Sequence, residues 1–190
     1  LPSLSFAALS FDTSARKTGT DSPSPVTVSI SDSASATLGI VFTDLSTNTD
    51  TVTSVTWGAS SMTRLGNKLL GGTKEYEVWG VINPPSGSQT ITINFTGGSL
   101  TPLAATYIGT ATSLPTNIAS STAGSGTSLS KSITTVKDKS WVVNTATEIS
   151  GNTAAYTVGA TRRCGNNGCA GEGSSRIIGD SAADITPAGS

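Results

Sequence analysis

Tyr76-Glu-Val-Trp-Gly-Val-Ile-Asn-Pro-Pro-Ser-Gly-Ser-Gln-Thr-Ile-Thr-Ile-Asn-Phe95 decides the fold class. Residues 76–82 and 90–95 read as two strands, the second alternating hydroxyl or amide side chains with Ile91, Ile93 and Phe95. Between them, Asn83-Pro84-Pro85-Ser86-Gly87 removes backbone donors and supplies turn residues, so one strand ends and the next begins at a tight corner. The same pattern recurs at residues 9–12, 26–30, 37–45, 52–57, 62–65, 104–108, 132–136, 141–148, 155–158 and 175–178. No window sustains an apolar repeat at 3.6 residues, so helix is expected to be near absent. Residues 112–130, rich in Ser, Thr and Gly, read as a long exposed connection. Many short strands in 190 residues predict one all-β domain, an antiparallel two-sheet β-sandwich of immunoglobulin-like or jelly-roll-like form.

Composition narrows the function. Charged residues make up 12% of the chain, against a usual quarter or so, and the net charge is −1. Ser and Thr together supply roughly a third of the residues. Lysines and arginines are scattered, so no basic stripe exists to neutralise phosphates, and nucleic acid is not an expected partner. No apolar run approaches the ~18–20 residues needed to cross a bilayer, so membrane insertion is not expected. Leu1 in place of an initiating Met fits a removed export signal, and an extracellular or cell-surface location is expected. Cys164 and Cys169 enclose Gly-Asn-Asn-Gly, a spacing suited to a small disulfide-closed loop in an oxidising compartment. Two thiols in a chain without histidine cannot build a four-ligand zinc site, so neither metal nor cofactor is expected.

The absence of histidine also removes the usual general base, which excludes Ser-His-Asp and Cys-His nucleophilic sites, and the chain reads as a non-enzyme. Glu75 and Glu77 share a strand face about 7 Å apart, near the separation of glycosidase carboxylates, but read more simply as solvent-facing strand residues. Trp79 shares that face and reads first as core packing at a sheet edge, with contact to a sugar ring or a neighbouring subunit as the alternative. Trp57 and Trp141 stand in phase with Val55 and Val143 and read as core residues. Asn94-Phe95-Thr96 is a glycosylation sequon at Asn94, and the Ser/Thr-rich segments are candidate acceptors for O-linked sugar.

Three segments carry a resemblance: Val52-Thr-Ser-Val-Thr-Trp-Gly-Ala-Ser-Ser-Met-Thr-Arg-Leu65, Tyr76-Glu-Val-Trp-Gly-Val-Ile-Asn-Pro-Pro-Ser-Gly87 and Gln89-Thr-Ile-Thr-Ile-Asn-Phe95. Together they resemble a β-sandwich module repeated in large secreted and surface proteins of bacteria and archaea. The resemblance spans roughly residues 36 to 150 and implies the sandwich fold and an extracellular setting, with no catalytic signature. It departs at the end, where the module closes on an apolar strand and this chain runs out through Pro187-Ala-Gly-Ser190.

The chain's first residues supply the functional lead. Leu4, Phe6 and Ala8 fall on one face at period two, whereas Leu9 and Phe11 fall on the other, so the two halves are expected to serve two different cores. Residues 1–8 thus read as a donor segment and residues 9–190 as the sandwich. Leu1, Leu4 and Phe6 would enter a neighbour's sheet, completing it where no closing strand follows Ile178. The expected function is a structural subunit of an extracellular filament, pilus-like polymer or surface layer, with copies of itself as partner. The alternatives are a secreted carbohydrate-binding module using Trp79 or the Cys164–Cys169 loop, and a viral decoration or fibre protein.

Overall fold

The computed structural model describes residues 9–17, 23–71, 73–109, 112–115, 132–135, 140–147, 160–164 and 176–181. Among them are twelve strands and no helix. They are β1 (Ser10–Arg16), β2 (Val26–Asp32), β3 (Ala36–Leu45), β4 (Thr51–Trp57), β5 (Ser60–Ser61), β6 (Thr63–Gly71), β7 (Lys74–Ile82), β8 (Gly87–Thr96), β9 (Leu100–Ile108), β10 (Val143–Thr147), β11 (Ala160–Cys164) and β12 (Arg176–Ser181). All pairings are antiparallel, in sheets ordered β1-β9-β3-β7-β6, β2-β8-β4-β5 and β10-β12-β11. The five- and four-stranded sheets pack face to face as the expected sandwich.

The four-stranded sheet obeys simple alternation. Val26, Val28 and Ile30 of β2 and Ile91, Ile93 and Phe95 of β8 point into the sandwich beside Val52, Val55 and Trp57 of β4. Its outer face is made of hydroxyls, with Thr27, Thr92, Thr56 and Ser61 in one row across all four strands. β-Branched or small polar residues suit a solvated pleat, so this sheet needs no charge on its outside.

The five-stranded sheet is covered on both faces. Val41 and Leu45 of β3, Trp79 and Val81 of β7 and Leu100 and Ala104 of β9 face the four-stranded sheet. The opposite face carries Leu38, Ile40 and Phe42 of β3 with Leu103, Ala105 and Tyr107 of β9, and Phe11, Leu114, Trp141 and Val143 pack over them. Tyr107 meets Phe11 and Trp141 edge-on, at ring separations of 6.0 and 6.5 Å. Close contact has a local requirement at Gly39, where a Cβ would stand 3.0 Å from the Trp57 ring and from Val81.

Several sequence expectations are corrected at this level. β1 begins and ends later than residues 9–12, and its register shifts between Phe11 and Thr13. That shift sends Phe11 to the outer core and Ala15 to the sandwich core. The strand expected at 62–65 continues as β6 to Gly71 through a register irregularity after Leu65. Gly66 there has a φ of 69°, open to glycine at little steric cost, and the bulge hides the strand from a period-two reading. Residues 132–135 form no strand. The strand expected at 155–158 lies outside the described residues, and β11 was not anticipated. Leu114, placed in an exposed connection by its neighbours' composition, packs on the outer core. The place beside Ile177 and Ile178 is not vacant: β12 is the central strand of its sheet, with β10 on one side and β11 on the other.

Double coverage makes a direct prediction. Ile91→Ala, in the sandwich core, and Phe42→Ala, in the outer one, should each cost about 2–5 kcal/mol in urea unfolding, whereas Thr92→Ala on the hydroxyl face should cost below about 1. A Phe42→Ala loss as small as that of Thr92→Ala would show that the second cover is not packed.

Candidate functional site

The residues singled out by the sequence scatter. Leu1, Leu4, Phe6 and Cys169 lie outside the described residues, as does the side chain of Cys164 at the end of β11, so the expected disulfide does too. Asn94 sits within central strand β8, partly buried, and its Nδ2 donates to the Ser54 Oγ at 2.9 Å. Trp79 takes the core-packing reading, being 8% exposed and part of the sandwich core, and is not a surface platform. Glu75 and Glu77 correct their solvent-facing reading, being 0% and 2% exposed. The residues on the Glu75, Glu77, Trp79 face of β7 therefore turn inward together, because that face looks at the four-stranded sheet.

What results is a buried polar cluster at the β6–β7 edge of the sandwich. The Trp79 indole donates to Glu77 Oε2 at 2.9 Å. Glu75 stands two residues before Glu77 on the same face of β7, and hydrogen bonding between the two carboxyls, which needs a proton on one of them, is among the causes that raise Glu77. Arg64, opposite Trp79 on β6, brings a guanidinium nitrogen to 3.9 Å from Glu77 Oε1, with its own side chain 43% exposed. Burial is the main cause that pushes Glu77 up to about 7, with the Glu75 hydrogen bond and charge adding to it. Arg64 and the Trp79 N–H pull the other way.

A second buried carboxyl lies at the far side of the sandwich. Asp32, at the end of β2, is 5% exposed, and neither carboxyl oxygen has a hydrogen-bond partner among the described residues. Burial raises its pKa, and the nearby charge of Asp12 adds to that. Asp12 itself, at the β1 register shift, accepts from the Ser33 amide and the Thr106 hydroxyl, both at 3.0 Å. No group of three or more potential metal-ligating side chains occurs among the described residues.

Chemically, the Glu75–Glu77 pair can hold a proton and accept from an indole. Their spacing is visible in the sequence, and their burial is not evident from the charged side chains alone. The available signal was the continuation of the same period-two face into Trp79 and Val81, which assigns all four to one side of the sheet. Comparison with protein-family models finds no match for this chain, and comparison with curated proteins and with solved structures finds none either.

Trp79→Phe tests the geometry, because it keeps an aromatic ring in the core and removes only the N–H that favours the ionised form of Glu77. The Glu77 carboxyl should then titrate above about 7 in ¹³C NMR. Stability should fall more at pH 8 than at pH 5, by about 1.5–3 kcal/mol where the carboxylate is charged. An unchanged titration would remove Trp79 from the cluster.

Proposed function

We propose that this protein is a structural subunit of an extracellular filament or surface layer, assembled from copies of itself by strand donation. In this reading residues 1–8 pair with a sheet edge of a neighbour, Leu1, Leu4 and Phe6 filling pockets at alternate positions while the main chain supplies a hydrogen-bonded ladder. A head-to-tail contact of this kind propagates into an open polymer unless its rotation closes.

One observation carries the reading. β2 is a seven-residue edge strand whose only ladder partner among the described residues is β8, and Val26–Asp32 holds no lysine, arginine or proline and a single acid at its end. Monomeric sandwiches usually blunt such an edge with charge, proline or a bulge, since it templates pairing with another chain. The charge-free hydroxyl face beside it supports a packed, hydrated surface contact between subunits rather than recognition of a charged ligand. Because β12 is flanked on both sides, the acceptor in this reading is an edge and not a gap after Ile178. The carbohydrate-binding alternative loses Trp79 as a surface platform, and the Cys164–Cys169 loop that it also names lies outside the described residues.

Negative-stain electron microscopy of the full chain should show filaments or sheets, and removal of residues 1–8 should leave soluble, mostly monomeric sandwich. A synthetic peptide of residues 1–10 should raise the melting temperature of the shortened protein, as a ligand of the folded state at 100 times its Kd adds about 2.7 kcal/mol. Replacing Leu4 and Phe6 by Asp in the peptide should weaken that rescue. Normal polymerisation of the shortened protein would overturn the proposal.

A further inference from the structure

We propose that the Glu75–Glu77 pair, enclosed on the inward face of β7 beneath Arg64, is a proton-holding latch that keeps the β6–β7 edge of the sandwich closed in acidic surroundings and loosens it above neutrality. This inference rests on the cluster's geometry and is independent of the assembly reading.

Two carboxyls forced together in a core have one inexpensive arrangement: a single proton between them, with the remaining oxygens turned to nearby donors. The cluster supplies part of that arrangement: the Trp79 N–H meets Glu77 Oε2 and Glu75 lies on the same buried face, while Glu77 Oε1 has no hydrogen-bond donor among the described residues and Arg64 stands 3.9 Å from it. Loss of the proton leaves two negative charges behind β6. The charge facing Glu77 from the described side chains of β6 is Arg64, partly in solvent and 3.9 Å away, too far and too hydrated to offset a buried carboxylate in full. From β3, Thr43 and Leu45 stand opposite Glu77 and Glu75 and bring no charge. Asp44 and Lys74 lie out of phase with the pair, on the other face, and are tied to each other at 3.5 Å. From the four-stranded sheet the inward residues of β4 and β8 are apolar. At the nearby end of the sandwich, Asp50 is held by the Gly98 amide at 3.0 Å.

β6 is the strand that must respond. It is the last in its sheet, with β7 as its ladder partner, and its register is already broken after Leu65. Its pairing therefore has less to lose than that of any interior strand. The sign follows from linkage. Glu77 holds its proton up to about 7 in the folded protein against 4.5 ordinarily, so the folded state binds more protons between those values. The stabilisation is complete below the lower value and is lost as pH rises through the upper one. Asp32, raised for the same reason, acts in the same direction from another place in the fold.

Urea unfolding of the full chain at pH 5 to 8 tests the latch. The folding equilibrium constant should fall roughly 10²-fold across that range. Glu77→Gln, which keeps the shape and cannot ionise, should lose most of the dependence, while Asp32→Asn should retain the larger part of it. Amides of β6 should exchange faster at pH 8 than at pH 5, after correction for the intrinsic pH dependence of exchange, and interior β3 should change less. Should Glu77→Gln not fold, ¹³C titration of Glu77 in the wild type decides: a midpoint near 7 supports the latch, and one near 4.5 overturns it. Stability that is flat or rising from pH 5 to 8 overturns it equally.

Discussion

Burial of the five-stranded sheet on both faces is the constraint from which the rest of the architecture follows. A sheet in a two-layer sandwich hides one face and hydrates the other, and its strands alternate accordingly. Here β3 and β9 are buried along almost their whole length. One cover is the four-stranded sheet, and the other is built from Phe11, Leu114, Trp141 and Val143, which come from segments far apart in the chain. Phe11, Trp141 and Tyr107 form one aromatic contact chain across that second core. Loss of any of these contributions leaves apolar surface of β3 and β9 facing water, so the late residues of the chain are part of the fold and not an appendage.

The same enclosure explains where the charges went. A chain with 12 acidic residues places at least Asp32, Asp44, Asp50, Glu75 and Glu77 in the interior, while the outer face of the four-stranded sheet is hydroxylated and uncharged. Buried acids are rare unless partnered, because desolvation costs several kcal/mol per ion. Visible compensation includes Lys74 for Asp44, the Gly98 amide for Asp50, and Trp79 and Arg64 for Glu77. The remaining cost falls on protonation equilibria, which is why Glu77 and Asp32 are displaced in the same direction.

What was legible in the sequence follows from this division. β2, β4 and β8 alternate because one face is wet, and the expected strands at 26–30, 52–57 and 90–95 fall within observed ones. The corner at residues 83–87 was equally legible, since Asn83 adopts a φ of 48° and Pro84-Pro85 cannot continue a ladder. Illegible were the features that depend on a partner distant in sequence. Glu75 and Glu77 look like solvent residues until the face they share with Trp79 and Val81 is known to point inward. Leu114 looks like loop until Gly80 is seen to leave room for it, a Cβ there falling 2.9 Å from the leucine. β6 is hidden by its own bulge.

β1 joins these themes, because it is the strand whose two halves belong to different cores. Its register shift turns Phe11 onto Tyr107 and Ala15 into the sandwich, and Asp12 at the shift accepts from Thr106 on β9 and from Ser33 just beyond β2. Arg163 of β11 lies over the Phe11 ring at 4.7 Å, and the Ser14 hydroxyl donates to the Arg163 carbonyl at 2.8 Å. One seven-residue strand thus touches all three sheets. In the assembly we propose, force on residues 1–8 enters the subunit through this strand. It is distributed to both cores at once, whereas a strand seated in one core alone would carry it on a single set of side chains. The bulge that spoils the simple alternation of β1 is what permits that division, since an unbroken strand would put Phe11 and Ala15 on the same face.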